Sequence, residues 1–198
     1  LPSLENKKTP SPFTVMYAGS HGLANNLQVV LQAAKLIQAQ GMGDRIRICL
    51  VGEGPEKITL KKLAEAEDLR IVEFMDPVSK KDIYPLLNEA DAFLMLLKHA
   101  PVFRYGISPN KLFDYLLMAR PVIFGVDTTY NPIEKANAGI TIAANDPAAL
   151  AAAIVRLSSL PKDELQAMGD RGRAYVLQHH HIDLLTNQVE AVIHAAVQ

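Results

Sequence analysis

The sequence predicts an α/β protein built on a doubly wound parallel β-sheet of about six strands, with helices on both faces. Three observations predict it. Strand-like and helix-like patterns alternate along most of the chain. The strand-like runs are apolar at consecutive positions, as in FTVMYAG at 13–19, which suits strands covered on both sides. Glycine and proline turns punctuate these runs.

In chain order, residues 1–12 (LPSLENKKTPSP) are polar, carry three prolines and read as a linker. Residues 13–19 form the first strand, and Ser20, His21 and Gly22 a short turn. From Leu23 to Gln40, apolar residues at Leu27, Val30, Leu31, Ala34 and Ile37 predict an amphipathic helix, ended by Gly41 and Gly43. Arg45–Val51 is the second strand, followed by the turn GEGPEK at 52–57 and a helix over Ile58–Asp68. The third strand is Ile71–Phe74, closed by Asp76-Pro77. Ser79 is the expected cap of a helix reaching Asn88. Ala92–Leu97 is the fourth strand, and Lys98–Gly106 a loop.

The next stretch, YGISPNKLFDYLLMARPVIF, reads as loop, helix, tight turn and strand. Ser108 is the expected cap and Pro109 fits the first helical position. Leu112, Tyr115, Leu116 and Ala119 repeat at helical spacing and form a buried stripe. Val122–Phe124 is the fifth strand, Thr128–Ala138 a short helical piece and Gly139–Ala143 the sixth strand. Asp146-Pro147 opens a helix ending near Leu160. A further helix runs from Pro161 to about His179, and an amphipathic one over Ile182–Val197. One domain over 13–180 and a last helical segment over 181–198 are the expected organisation.

Composition narrows the function. The chain has 198 residues, 49% hydrophobic, with a formal net charge of −1 and no long basic run, so there is no electrostatic case for nucleic acid. Cys49 is the single cysteine, which fits a reducing, cytoplasmic setting. No apolar run approaches the ~18 residues of a membrane span. No P-loop, no G-x-S-x-G elbow and no G-x-G-x-x-G is present, and the last absence disfavours a nicotinamide-dependent oxidoreductase.

In open α/β sheets, ligands sit outside the carboxyl ends of the strands. Gly19-Ser20-His21-Gly22 lies at such an end, where glycines allow close approach of a phosphate and a following helix start favours an anion. His21 is either a ligand contact or an exposed turn histidine. Lys57, opening the helix after the second strand, is either a diphosphate contact or a surface lysine. Lys111 and Asp114, three apart on one helix, offer a cation for an anion and a carboxylate for a diol such as ribose, or else an ordinary surface pair. His179, His180 and His181 are consecutive, so their side chains diverge by about 100° on a helix and do not converge on one metal ion.

Taken together, MYAGSHG, LVGEGPEK, VEFMDPVSKKDI, LLNEADAFLML, YGISPNKLFDYLLMARPVI, NAGITI with DPAAL, and MGDRGRAYV resemble the carboxyl-terminal domain of a family 4 (group 1) glycosyltransferase of GT-B fold. The bacterial members that build surface polysaccharides are the most similar. The resemblance runs from Phe13 to the end and is most specific over Tyr105–Ile123. It implies a Rossmann-like half of a GT-B fold that binds the nucleoside diphosphate sugar, with UDP the expected nucleotide, in a retaining transferase needing neither metal nor other cofactor.

Carried over residue by residue, it implies that Asp114 holds the ribose hydroxyls. Gly106, Ile107 and Ser108 supply backbone N–H groups to sugar and diphosphate, and Gly19, Ser20, His21 and Gly22 form the loop under the diphosphate. Lys57 lies beside it, and the segment Met75–Val78, with Asp76, Pro77 and Val78, lines the base. Two departures stand out. The family's first glutamate is missing, with Arg104 or Tyr105 near its place, and Ser20-His21-Gly22-Leu23 replaces the usual basic glycine loop. Lys57, Lys111 and Arg104 are then the expected sources of positive charge.

The resemblance also implies a missing amino-terminal domain of the same polypeptide that binds a glycan or lipid-linked acceptor, and a residue 1–12 segment that is the end of the interdomain linker. It allows peripheral membrane association of the complete protein, at the inner face. This chain alone is expected to lack useful transferase activity. The rival readings are a nucleotide-sugar 2-epimerase, which needs acid–base groups that cannot be placed here, and a non-catalytic nucleotide-sugar-binding or assembly module.

Overall fold

The computed structural model describes residues 12–79, 81–107 and 109–197. Six strands form one parallel sheet: β1 (Phe13–Ala18), β2 (Ile46–Val51), β3 (Val72–Met75), β4 (Ala92–Leu96), β5 (Val122–Gly125) and β6 (Gly139–Ile142). Their order is β3-β2-β1-β4-β5-β6, so the winding reverses between β1 and β4, where Val15 faces Ala92 and Met16 faces Phe93. That reversal is where loops diverge and leave a crevice at the carboxyl ends of the strands. The helices are α1 (Gln28–Ala39), α2 (Lys57–Ala66), α3 (Ile83–Leu87), α4 (Asn110–Leu117), α5 (Pro132–Ala136), α6 (Pro147–Ser158), α7 (Lys162–His179) and α8 (Ile182–Val197).

Successive strand residues point to opposite faces, and both faces are buried. Val15, Tyr17, Ile48, Leu50 and Leu94 pack with α1, α2 and α6. Met16, Ala18, Cys49, Val51, Phe93 and Met95 pack with α3, α4, α5 and α7. The unbroken apolar runs in the sequence are the direct result. On the second face the Phe93 and Tyr115 rings stack with centroids 4.4 Å apart. The Tyr115 hydroxyl accepts from Ala18 N–H (2.8 Å) and donates to Ala18 O (3.0 Å), which fixes α4 to the end of β1.

α7 seats directly on backbone. A Cβ on Gly169 would lie 2.0 Å from the Ala119 carbonyl oxygen, and one on Gly172 would lie 2.8 Å from a Leu116 methyl. Beyond it, Ile182, Val189, Val192 and Ile193 of α8 are exposed.

Several element boundaries differ from expectation. The Leu23–Gln40 helix is split: a 3₁₀ turn at Leu23–Asn25 ends at Asn26, whose φ of 48° is left-handed, and α1 begins at Gln28. Asparagine tolerates that conformation, and here its amide donates to Asn145 Oδ1 (2.6 Å). Ser79 does not cap a long helix. Its hydroxyl donates to Asp82 Oδ2 (2.6 Å) and accepts from Lys81 N–H, and α3 starts only at Ile83. Pro109 occupies the cap position of α4, with ψ 115°, rather than the first helical position. Ser108 and residues 1–11 lie outside the described residues. In the Thr128–Ala138 piece only Pro132–Ala136 is helical, capped by Asn131, which accepts from Ile133 and Glu134 N–H. Asp146 caps α6 through Ala149 N–H (2.8 Å), with Pro147 at its start, as expected.

Candidate functional site

A cavity of about 300 Å³ opens at the carboxyl ends of β1 and β2, roofed by α3 and α4. Gly19 and Ser20 line it from the first loop, Gly52 and Glu53 from the second, and Pro77 and Val78 from the third. Lys111, Asp114 and Tyr115 reach it from α4, and Ile83 and Leu87 from α3.

The two glycine loops hold each other. Gly19 N–H donates to Val51 O (2.9 Å), and His21 N–H to Glu53 O (2.8 Å). A Cβ on Gly52, whose φ is +139°, would stand 2.0 Å from the Gly19 carbonyl oxygen. Glycine is therefore required there by both contact and conformation.

Lys111 supplies the cavity's ammonium. Its Nζ donates to the Tyr17 hydroxyl (2.7 Å) and to Asn25 Oδ1 (3.2 Å), and sits 4.3 Å from the Tyr17 ring centre. Among the described residues no carboxylate lies within ion-pair distance of it. Burial without a counter-charge lowers its pKa from 10.5 to about 8. A Cβ on Gly19 would meet that Nζ at 2.8 Å, so the glycine makes room for the lysine end. Asp114, one turn on, accepts from the Tyr84 hydroxyl (3.0 Å) through Oδ1. Burial raises the pKa of Tyr17 and Tyr115 far above the ordinary phenol value, so both remain neutral donors.

Of the residues singled out in the sequence, Gly19, Ser20, Pro77, Val78, Lys111 and Asp114 come together at this cavity. The others are placed elsewhere. His21 is neither exposed nor part of the lining. It is fully buried between the Tyr17 and Phe74 rings, at centroid distances of 6.1 and 6.2 Å, and neither ring nitrogen has a hydrogen-bond partner. Burial first, then the nearby Lys57 charge, lower its pKa, and it is a neutral imidazole. Gly22 precedes the 3₁₀ turn and does not line the cavity.

Lys57 is not a surface lysine. It is buried, and its ammonium bonds Glu53 Oε1 (2.5 Å) and Asp76 Oδ1 (2.9 Å). Burial opposes its charge, but the two carboxylates outweigh that and raise its pKa, while they are themselves lowered. Its charge, and that of Asp76, is thus already engaged. Arg104 is exposed and lies over the neighbouring Tyr105 ring at 4.7 Å. Gly106, at φ +114°, turns the chain back so that its N–H meets Phe103 O, and Ile107 packs against the second core.

Sequence reasoning missed the partners that hold the site: Tyr17, Asn25 and Tyr84. Tyr17 sits inside an apolar strand, where nothing marks it as polar machinery. At the end of α7, His180 does not gather with its neighbours. It packs on Phe113 (4.7 Å) and reaches the Tyr130 hydroxyl (3.0 Å). Among the described residues no cluster of His, Cys, Asp and Glu is arranged for a metal, and no helix is long and apolar enough to cross a membrane.

Comparison with known proteins agrees with this architecture. The family model for glycosyl transferases group 1 matches residues 12–159. A putative colanic acid biosynthesis glycosyltransferase, WcaL of Salmonella typhimurium, is 26% identical over 170 residues, covering 84% of this chain and 41% of that protein. The chain thus spans less than half the length of that relative. Among solved structures, TarM superposes with a TM-score of 0.79 at 15% identity, covering 96% of this chain and 37% of TarM. The Anabaena protein HepE, solved with UDP and glucose, gives 0.72 at 14% identity, over 92% of this chain and 48% of HepE. These likenesses establish the fold as one half of a GT-B architecture. With its six-stranded sheet, its crevice at the winding reversal and a family match over most of its length, the chain belongs to the glycosyl transferases group 1.

Proposed function

We propose that this chain is the donor-binding half of a retaining glycosyltransferase that moves a sugar from a nucleoside diphosphate sugar, a UDP-sugar, to a glycan or lipid-linked acceptor. The observation that carries the reading is Lys111: a half-buried ammonium with no carboxylate partner among the described residues, facing a cavity floored by glycine backbone. An unpaired buried cation is costly, and a diphosphate is the counter-charge such a site takes. HepE, with the same fold, is solved with UDP bound.

In this reading the diphosphate lies over Gly19 and Ser20 against Lys111. Asp114 accepts the ribose hydroxyls, and the base lies along Pro77 and Val78. As the glycosyl–oxygen bond breaks, negative charge gathers on the departing diphosphate. Lys111 and the loop N–H groups stabilise it in a site of low dielectric. The arriving phosphate charge raises the Lys111 pKa again, so the lysine is fully charged when it is needed. This needs no metal. The acceptor is bound by an amino-terminal domain of the same polypeptide, in the cytoplasm at the inner face of the membrane, and this chain alone does not turn over.

The loop around Arg104, which lacks the family's first glutamate, favours a second reading: a nucleotide-sugar-binding module without turnover. Calorimetric titration of the complete polypeptide with UDP, GDP and their sugars tests the first reading. Saturable UDP binding, lost in Asp114→Ala, is expected, and absence of binding to every nucleotide refutes it. A turnover assay on the same polypeptide separates the two readings.

A further inference from the structure

We infer that His99, oriented by Asp127, contacts a hydroxyl of the transferred sugar. The inference rests on the donor reading above and names the group that reads the far end of that donor.

His99 Nδ1 lies 2.6 Å from Asp127 Oδ2. Asp127 Oδ1 accepts from Ala144 N–H (3.2 Å), and Asn145 Oδ1 accepts from His99 N–H (3.3 Å) and from the Asn26 amide (2.6 Å). Loops following β1, β4, β5 and β6 are thereby tied at one point of the sheet's carboxyl rim. The His99 contact and the Ala144 N–H hold the Asp127 carboxyl below its usual range, so it is ionised at neutral pH. An ionised carboxylate only accepts, so Nδ1 carries the proton of this contact and Nε2 is the ring nitrogen left for another partner. Nε2 has no partner among the described residues, and the side chain is 60% exposed.

A surface histidine–carboxylate pair alone contributes little. Its position gives it more. Asn25 holds Lys111, and the next residue, Asn26, holds Asn145 and through it His99. Consecutive Cα atoms are about 3.8 Å apart, so one turn carries the lysine of the cavity on one side and the histidine loop on the other. Lys98 N–H, bonded to Ala24 O (2.7 Å), ties the same two loops again. A nucleoside placed at Asp114, Pro77 and Val78 occupies the α3 side of Lys111. The sugar, at the other end of the diphosphate, then extends along the rim towards β4 and β5, where His99 stands.

The chemistry of the cluster fits a neutral polyol. An imidazole nitrogen, a carboxylate and amide groups offer acceptors and donors together, which hydroxyls satisfy in both directions. The Asp127 charge repels a phosphate.

The complete polypeptide is titrated with UDP, UDP-glucose and UDP-N-acetylglucosamine, as the parent and as His99→Asn and His99→Gln. Asparagine places an amide near the Nδ1 position and keeps the Asp127 contact while losing Nε2, whereas glutamine reaches the Nε2 position. UDP affinity should stay within about twofold in all three forms. The better-bound UDP-sugar should lose roughly tenfold in His99→Asn, as one lost hydrogen bond would produce, and recover in part in His99→Gln. Equal losses for UDP and the UDP-sugar would make the pair a structural clasp and overturn the inference. So would an unchanged UDP-sugar affinity, or a parent that binds neither sugar nucleotide better than UDP. A parent that binds no UDP refutes the donor reading itself, and the inference with it.

Discussion

Replacing Lys111 by Met should make the protein more stable and a poorer diphosphate binder. Burial takes the ammonium from 10.5 to about 8. At 1.36 kcal/mol per tenfold, the folded protein carries on the order of 3 kcal/mol of strain at neutral pH by keeping this group charged. Methionine fills similar space without charge, but it forfeits the bonds to Tyr17 and Asn25 and the ring contact, roughly 1–2 kcal/mol together. The net expectation is a gain of about 1–2 kcal/mol at pH 7, or a rise in Tm of about 3–6 °C for a chain of this size.

The pH dependence identifies the cause. Between pH 8 and 10.5 Lys111 binds fewer protons in the folded parent than in the unfolded chain, so this group's contribution to stability rises with pH across that window. Lys111→Met lacks that slope. The advantage of the variant is therefore largest at or below pH 7 and closes towards pH 10. Tyr17 and Tyr115, which burial keeps protonated while the unfolded tyrosines ionise near pH 10, lower stability in that range, but equally in parent and variant, so they cancel from the gap. Urea unfolding at pH 7, 8.5 and 10, beside a UDP titration at pH 7, reads both effects. A variant less stable at pH 7, or a stability gap indifferent to pH, would refute the reasoning.

Asp114→Asn should weaken UDP about tenfold and abolish the parent's preference for UDP over 2′-deoxy-UDP; equal discrimination in both proteins would remove Asp114 from the ribose. Gly52→Ala should cost more than about 3 kcal/mol in urea unfolding, since its Cβ would meet the Gly19 carbonyl oxygen at 2.0 Å and φ is +139°; a variant as stable as the parent contradicts that contact. Lys57→Met should leave UDP affinity within about twofold, because Glu53 and Asp76 already engage the ammonium. It should lower stability at pH 7, and the deficit should vanish as pH falls through the depressed carboxylate range, where the parent loses the same ion pairs.

The sheet was legible because strands buried on both faces leave unbroken apolar runs such as FTVMYA and AFLML. The Lys111–Asp114 side of the cavity was legible because three-residue spacing on a short amphipathic helix puts both near one end of it. What stayed hidden depends on contacts distant in sequence. Nothing near Lys57 announces that Asp76, nineteen positions away, will take its charge. Nothing in Ser20-His21-Gly22 announces that Phe74 will close over the imidazole. The break at Asn26 was hidden for a different reason: a left-handed residue inside an amphipathic pattern leaves the apolar spacing on both sides intact.

The glycine seat of α7 has a mechanical consequence. Gly169 rests on the Ala119 carbonyl, so a small rotation of the helix about its axis would drive a neighbouring side chain into backbone. The helix has one angular setting. From Gly169 to His179 it acts as a lever arm of about 15 Å, and the heading on which the chain departs into α8 is decided at its fulcrum. A substitution at Gly169 should therefore be felt as a misaimed terminal helix, with its exposed Ile182, Val189, Val192 and Ile193 swung away, before it is felt at the sheet.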